Sequence, residues 1–206
     1  MTDPNVLVDP FSKKDIQHLS QIHLSAFKGY MNAGMGKQYV QRFLLWFMAY
    51  PNAIALKAEY KGQICGYVVG APIGYDKYIN RDLFKTALVG ILTHPYILFH
   101  QNFTRAAKAK LLMLLGKRPV KKVIQAPPGH GISLVGICVA PDFGSKGIGK
   151  AIMSEFEVSA RRLGMHYMRL SVYRSNAIAR SLYEKAGWYI MEDDNENVLY
   201  YYKMLN

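Results

Sequence analysis

The chain has 206 residues, 50% of them hydrophobic and 13% aromatic, and it carries 26 Lys and Arg against 14 Asp and Glu, a formal net charge of +12. This length and apolar fraction predict one folded domain and exclude a disordered polypeptide. With two cysteines, Cys65 and Cys138, the chain is not a disulfide-rich scaffold, and its first residues lack the basic start and apolar run of a signal peptide. We therefore expect a reduced, cytoplasmic protein.

The first 72 residues predict a short strand, two helices and a hairpin. A strand is expected at residues 6–8, and Ser12 with Asp15 three positions later forms a variant capping box that starts a helix. In that helix the residues at helical spacing are Ile16, Leu19, Ile22, His23 and Phe27. A second helix is expected at about 37–50, and strands at 53–60 and 63–71 are joined by the tight turn Lys61-Gly62.

Residues 73–130 differ in character from the rest of the chain. They carry 10 basic and 2 acidic side chains, and residues 80–118 read as apolar helix divided by Pro95. The uncharged stretch between Lys85 and Arg105 approaches the length of a membrane span, but its proline, histidines, amides and threonines make it too polar for one. We interpret the segment as a basic, amphipathic helical insertion that covers a substrate, pairs two subunits or lies on an anionic membrane surface.

The last third predicts alternating strands and helices. Strands are expected at 132–139, 167–173, 188–192 and 198–204, with helices from the glycine turn to about 163 and at 176–186. The inner stripe of the first of these helices is Ile148, Ile152, Phe156, Ser159, Ala160 and Leu163. The chain as a whole is therefore predicted to be a mixed α/β domain.

The turn at residues 144–149 is rich in glycine and lies between a buried strand and a helix, which is the arrangement of an anion-binding site. It departs from a P-loop because Ala151 occupies the position of the metal-binding Ser or Thr. It departs from the dinucleotide fingerprint because Gly147 and Gly149 are followed by Ile152 in place of the third glycine or alanine. The remaining candidate is the phosphate loop of an acyl-coenzyme A transferase.

Residues 132–190 resemble the Gcn5-related N-acetyltransferase (GNAT) superfamily. The coenzyme motif of that family follows a strand ending in Val-x-Pro, here Val139-Ala140-Pro141, and the glycine turn stands where the motif requires it. A second signature runs from Asn176-Ala177 through Leu182-Tyr183 to Gly187-Trp188. The resemblance implies a single acetyltransferase domain over residues 1–206, with a mostly antiparallel central sheet flanked by helices and the 73–130 insertion between strands 3 and 4.

The resemblance also implies the residues that hold acetyl-CoA, which is expected as the acyl donor. The strand would bind the pantetheine arm, the turn its pyrophosphate, and the helix beginning at Asn176 would face the coenzyme. The expected binding residues are Ile137, Cys138, Val139, Gly144, Ser145, Lys146, Gly147, Ile148, Gly149, Lys150, Asn176 and Ala179. Gly144 replaces the usual Arg or Gln of the motif, and we expect its backbone N–H to serve in their place.

The chemistry implied is direct attack of a neutral amine on the thioester, without an acyl-enzyme. Tyr183 stands at the family position of the acid that protonates the departing thiolate. An oxyanion donor is expected among the backbone N–H groups near Ile137 or Val139. No metal site is expected. The base stays open, and by position five residues are candidates: Glu59, His130, Ser133, Asp142 and Tyr173.

The acceptor implied is a primary amine of a small molecule, with an amino sugar or nucleotide-linked amino sugar suited to the basic insertion. The alternatives are a protein N-terminal or lysine acetyltransferase, a non-catalytic acyl-CoA-binding module, and a binder of nucleic acid or anionic membrane that uses the insertion. For the main interpretation we expect no nucleic-acid partner. Peripheral membrane contact and homodimer formation remain open.

Overall fold

The computed structural model describes residues 5–99, 127–144, 146–191 and 197–205. The chain begins with strand β1 (Val6–Pro10), a 3-10 turn (Lys13–Asp15) and helices α1 (Ile16–Ala26), α2 (Met31–Gly34) and α3 (Lys37–Ala49). The hairpin β2 (Ile54–Tyr60) and β3 (Gln63–Pro72) precedes α4 (Tyr75–Thr93) and a 3-10 segment (Pro95–Phe99).

The second half contains the elements predicted around the glycine turn. Strand β4 (Gly131–Val139) leads through a 3-10 turn (Pro141–Phe143) to α5 (Ile148–Arg162) and β5 (Tyr167–Tyr173). Helix α6 (Ala177–Lys185) and strands β6 (Tyr189–Met191) and β7 (Val198–Met204) complete the domain.

The seven strands form one sheet in the order β1-β2-β3-β4-β5-β7-β6. Every neighbouring pair is antiparallel except β4 and β5, which are parallel. A parallel pair requires a crossover connection, which α5 supplies. The predicted mostly antiparallel sheet flanked by helices is confirmed.

Local sequence signals account for several element boundaries. The Ser12 N–H donates to the Asp15 Oδ2 atom at 2.7 Å, as the capping box predicts. Lys61 and Gly62 both have positive φ, at 49° and 78°, which is the backbone of a type I′ hairpin turn. The Lys57 ammonium lies between Asp9, Asp15 and Glu59, so the one cation ties β1, β2 and the start of α1 together.

Helices cover both faces of the sheet. On one face α1 and α3 pack against β3 and β4 around Phe43, Phe47 and Tyr67. On the other face α5 and α6 pack around Ile152, Phe156 and Tyr183. The sheet therefore separates two hydrophobic layers, and a site that reaches both layers has to pass through the sheet.

The expected insertion between β3 and β4 is described as far as residue 99. Helix α4 begins at Tyr75, five residues earlier than the apolar pattern predicts, because Gly74 with a positive φ of 97° turns the chain into the helix. The predicted break at Pro95 is present. Several large side chains of this segment are exposed, among them Phe84 at 65% and Leu92 at 72%. The rest of the predicted insertion, from residue 100 to residue 126, lies outside the described residues.

Candidate active site

The sheet opens between its two parallel strands. Strands β4 and β5 share three residue pairs, Gly131 with Tyr167, Ile132 with Met168 and Ser133 with Arg169, while β5 remains paired with β7 along its whole length. Beyond Ser133 the edge of β4 that faces β5 is released from the ladder, so its backbone groups become available to a ligand. We refer to this junction of three residue pairs as the seam.

A β-bulge lies just past the seam. Val69 pairs with Gly136 and Gly70 pairs with Leu134, which leaves Val135 as an additional residue on β4. A bulge bends its strand and re-aims the groups that follow it. The bend lies on the stretch of β4 that carries the predicted oxyanion donors.

A cleft of about 870 Å³ occupies the opening. Residues 134–140 of the β4 segment form one wall and residues 170–173 of β5 the other. The cleft reaches the glycine turn at Gly147 and the side chains of α6, and on the other face of the sheet it reaches His23 and Phe43. It therefore passes between the two helical layers.

The glycine turn presents the start of α5 to the cleft. Gly147 has a left-handed backbone, with φ 72°, and directly precedes the helix. The first backbone N–H to close a turn of α5 belongs to Ala151, which donates to the Gly147 carbonyl at 3.0 Å. The amides of Ile148, Gly149 and Lys150 belong to the first turn, where helical N–H groups have no carbonyl of their own helix to bind. This geometry suits a pyrophosphate.

Three residues of the turn that were predicted to bind the coenzyme differ from the others in their position or in their contacts. Gly144 lines the cleft, but its N–H donates to the Pro141 carbonyl at 3.2 Å, so that donor is already used within the chain. The Lys146 ammonium lies 4.9 Å from the ring centroid of Tyr60 and 5.2 Å from that of Phe143, and Lys146 is not among the described residues that line the cleft. Ser145 lies outside the described residues.

The other predicted binding residues lie on the cleft wall. They are Ile137, Cys138, Val139, Gly147, Ile148, Gly149, Lys150, Asn176 and Ala179. Asn176 has two roles, because its Oδ1 caps α6 by accepting the Ala179 N–H at 3.1 Å and its Nδ2 donates to the Tyr30 hydroxyl at 3.3 Å. The second bond joins α6 to the segment that follows α1.

Tyr183 lies on the cleft wall, on the face of α6 that also carries Asn176 and Ala179. It is 5% exposed, and its ring packs 6.0 Å from that of Trp188 and 5.9 Å from that of Tyr201. Burial raises the pKa of the Tyr183 phenol above its ordinary value. The hydroxyl therefore keeps its proton near neutral pH, as a proton donor to a thiolate requires.

Four of the five candidate bases lie away from the cleft. Glu59 pairs with Lys57, Ser133 accepts from the Arg169 guanidinium at 3.0 Å, and the His130 N–H donates to His166. Asp142 is exposed in the 3-10 turn. Tyr173 alone of the five is on the cleft wall, where its ring lies 5.4 Å from that of Tyr30.

A buried polar cluster at the cleft was not predicted. His23 of α1, which is 4% exposed and read from sequence as part of an apolar stripe, shares a hydrogen bond between its Nδ1 atom and the Tyr67 hydroxyl. Burial lowers the pKa of His23 to about 4 and raises the pKa of the Cys138 thiol next to Tyr67. One signal was available, since a histidine within an apolar helical stripe must find a polar partner or bind a ligand.

Neither a metal-binding cluster nor a membrane-spanning helix is found among the described residues. No group of three or more His, Cys, Asp or Glu side chains is arranged there to hold a metal ion. No helix in the described part of the chain has both the length and the apolar character needed to cross a membrane.

Part of the chain matches the model of a known protein family. Residues 109–188 match the model of the Acetyltransferase (GNAT) family. No curated protein matches the chain in sequence.

Three solved structures illustrate the likeness in fold. The PaiA N-acetyltransferase of Thermoplasma acidophilum, in complex with coenzyme A, has a TM-score of 0.60 at 15% identity, over 97% of this chain and 98% of that one. The polyamine N-acetyltransferase of Drosophila melanogaster has a TM-score of 0.60 at 13% identity, over 97% and 100%. The ribosomal-protein-S18-alanine N-acetyltransferase of Escherichia coli has a TM-score of 0.58 at 12% identity, over 98% and 94%.

Proposed function

Since residues 109–188 match the Acetyltransferase (GNAT) family model and the fold is that of solved acetyltransferases, we propose that this chain is a GNAT enzyme that transfers the acetyl group of acetyl-CoA to a primary amine of a small molecule. The observation that carries the proposal is the continuity of the cleft. One channel joins the glycine turn, the unpaired edge of β4 and Tyr183. The glycine turn suits a diphosphate, the unpaired strand edge suits an extended arm with amide groups, and Tyr183 suits a thioester at the end of that arm.

The coenzyme would lie along the opening past the seam. The first-turn amides of Ile148, Gly149 and Lys150 would bind the pyrophosphate, with the Lys150 side chain adding charge. The edge of β4 near Ile137 and Val139 would pair with the amides of the pantetheine arm, as an added strand pairs with a sheet edge. The carbonyl oxygen of the thioester would accept a hydrogen bond from a backbone N–H of the same strand.

The reaction would proceed in one transfer without an acyl-enzyme. The amine nitrogen bonds to the acetyl carbon, the bond from that carbon to sulfur breaks, and the Tyr183 phenol protonates the thiolate. Cys138 is poorly suited to carry the acyl group, because the raised pKa of its buried thiol leaves almost no thiolate.

Calorimetric titration with acetyl-CoA tests the proposal first, with ATP and NAD as controls. We expect acetyl-CoA to bind with micromolar affinity and the controls to bind far more weakly. Release of free thiol from acetyl-CoA in the presence of a panel of amines then tests turnover. Tight binding without thiol release from any amine would favour a non-catalytic acyl-CoA-binding module instead.

The amine panel distinguishes the acceptor classes. It includes amino sugars, a nucleotide-linked amino sugar, polyamines, a peptide with a free N-terminus and a peptide with an internal lysine. A faster reaction with the amino sugars than with either peptide is the expected result. A preference for one of the peptides would instead indicate a protein acetyltransferase.

The exposed aromatic residues of α4 and of the segment after it support a second candidate function, the binding of nucleic acid or of an anionic membrane. Tyr78, Phe84 and Tyr96 are 48%, 65% and 60% exposed. Association with single-stranded nucleic acid or anionic vesicles that weakens steeply with added salt would support a binder of that class. Association that is unaffected by salt, or absent, would exclude it.

A further inference from the structure

The nitrogen of His23 that faces away from Tyr67 lacks a hydrogen-bond partner. Nδ1 is engaged with the Tyr67 hydroxyl, whereas Nε2 is buried and meets no donor or acceptor among the described residues. The ring is held in place by Phe27 and Phe43, whose ring centroids lie 4.7 Å and 5.9 Å from that of His23. A buried polar atom on the wall of a cleft, left without a partner, indicates that a ligand atom or a water supplies one.

His23 and Tyr183 approach the opening of the sheet from opposite sides. His23 packs with the α1 and α3 layer through Tyr67 and Phe43, whereas Tyr183 belongs to the α5 and α6 layer. Both residues line the same cleft. In a transfer of this kind one group must take a proton from the incoming nitrogen and another must give a proton to the departing sulfur, and two groups on opposite walls can divide these tasks.

The wall around His23 is uncharged. The titratable groups that face the ring are Tyr67 of β3 and, beside it, Cys138 of β4, and the residue that faces it from α3 is Phe43. No Asp or Glu side chain is among the described residues that line the cleft. With burial holding the pKa of His23 at about 4, the imidazole is neutral near pH 7. An ammonium ion placed here would lose its hydration without gaining a counter-charge.

We propose that His23 is the general base of the reaction, receiving at Nε2 the proton that the attacking amine loses, and that the acceptor is an amine which enters the cleft uncharged. This inference rests on the proposed function. As the nitrogen bonds to the acetyl carbon, it becomes positively charged and gives its proton to His23, directly or through one water, while the negative charge that develops on the oxygen and sulfur of the thioester offsets the charge of the imidazolium. The thiolate takes the proton of Tyr183, and solvent returns the proton from His23 to Tyr183, so that the cycle balances.

Tyr67 is the positioning residue for this base. Its hydroxyl is hydrogen-bonded both to His23 Nδ1 and to the Cys138 thiol. When the hydroxyl donates to the sulfur, it accepts the Nδ1 proton of His23, and the Nε2 lone pair is then free for the amine. Removing the hydroxyl would leave the imidazole free to adopt the other tautomer, in which Nε2 carries a proton.

Substitution at His23 separates the base from the rest of the site. His23→Asn keeps a polar atom near the position of Nδ1 but removes Nε2, and His18→Asn is a matched control on the same helix, away from the cleft. We expect His23→Asn to lower kcat by about 100-fold, within the usual range for a general base. The Kd for acetyl-CoA, measured by calorimetry, should stay unchanged in both variants and also shows that they are folded.

Chemical rescue distinguishes a base from a packing residue. Added imidazole should restore part of the activity of His23→Ala and leave wild type and His18→Asn unaffected. Tyr67→Phe should lower kcat with little change in the KM for the amine. Full turnover by His23→Asn, or no response of His23→Ala to imidazole, would overturn the role of His23 while leaving the acetyltransferase intact.

The charge of the acceptor has its own test in the wild-type protein. The kcat/KM for an accepted amine should rise with pH as that amine loses its proton, and its trimethylammonium analogue, which is permanently charged, should not inhibit. Inhibition by that analogue at concentrations near the KM of the amine would overturn the uncharged acceptor. Failure of acetyl-CoA to bind the wild type, or of any amine to release thiol, would overturn the proposed function itself and this inference with it.

Discussion

Tyr183 and Tyr201 are adjacent buried tyrosines, and one of the two lines the cleft. Their ring centroids lie 5.9 Å apart, and the Tyr201 hydroxyl donates to Glu184 at 2.7 Å; neither Tyr201 nor Glu184 is among the described residues that line the cleft. Removing the hydroxyl group from each tyrosine in turn therefore compares the same chemical change at the cleft wall and away from it.

We expect Tyr183→Phe to lower turnover at least about tenfold, because the thiolate loses its proton donor. Thiol release measures the rate, and thermal unfolding checks that the fold persists. Tyr201→Phe is the control and should keep the wild-type rate. Equal rates for the two variants would remove Tyr183 from the mechanism.

The buried imidazole of His23 also links stability to pH. Its pKa of about 4 lies below the ordinary 6.5, so the unfolded chain takes up the proton first as the pH falls. The contribution of neutral His23 is complete above pH 6.5 and is lost as the pH falls toward 4. From pH 7 to pH 5 the loss amounts to about 2 kcal/mol of unfolding free energy.

Urea denaturation at pH 7 and pH 5 measures this loss. His23→Asn should remove most of the difference between the two pH values, whereas His18→Asn should retain it. A wild-type protein equally stable at both values would contradict the buried, neutral state of the imidazole.

At the scale of elements, helix α5 has a left-handed glycine at each end. Gly147 (φ 72°) precedes the helix, Gly164 (φ 68°) follows it, and neither would bring an added Cβ within 4 Å of another residue. The cost of alanine is therefore backbone strain, about 1 kcal/mol at either position. The difference is location, since Gly147 lines the cleft and Gly164 is at the far end of the helix.

We expect Gly147→Ala to weaken acetyl-CoA binding at least about tenfold, because the methyl group and the strained turn disturb the first-turn amides that would bind the pyrophosphate. Gly164→Ala should bind acetyl-CoA as the wild type does, while losing similar stability. Calorimetry gives the affinities and chemical denaturation the stabilities. Equal affinities would place the pyrophosphate elsewhere.

Element boundaries show where sequence patterns succeed and where they fail. The positions of the glycine turn, of β4, of α6 with Tyr183 and of β7 with Tyr201 follow from local signals, namely glycine, proline and apolar spacing. Leu163 continues the spacing of α5, yet it is 37% exposed, because the helix ends at Arg162 and Gly164 turns the chain away. Apolar spacing predicts which residues share one face of a helix. Leu163 follows the last residue of the helix and therefore does not lie on that face.

The site was less predictable because its contacts join distant parts of the chain. His23 and Tyr67 are separated by 44 positions, and Asn176 and Tyr30 by 146. Neither pair has a local signal. The motif predicts Lys146 as a coenzyme-binding residue, but it gives no information on the neighbouring rings of Tyr60 and Phe143, on which the Lys146 ammonium lies.

At the scale of the whole molecule, the seam is the place where the ladder between the two halves of the sheet is short, with three residue pairs between β4 and β5. Within the sheet, these pairs and the bond from the Arg169 Nε atom to the Ser133 hydroxyl join the β1–β4 part to the β5–β7 part, and the hydrophobic layer under α5 and α6 also spans both parts. The cleft is lined from both parts, so that a ligand bound there would contact each of them. Binding of such a ligand stabilises the folded state by mass action.

Acetyl-CoA at 100 times its Kd should raise the unfolding free energy by about 2.7 kcal/mol. Denaturation with and without acetyl-CoA measures the increase, and ATP at the same concentration serves as the control ligand. With Gly147→Ala the same concentration should give a smaller increase. No stabilisation by a saturating concentration would contradict binding in the cleft.

The seam has a consequence for the lifetime of the protein. Proteases act on the fraction of molecules that has opened, and that fraction falls when a bound molecule braces the two parts of the sheet. The concentration of the acyl donor would then set both how fast the enzyme works and how long each copy survives. A shortage of the donor would therefore also lower the amount of the enzyme, because more copies would be degraded.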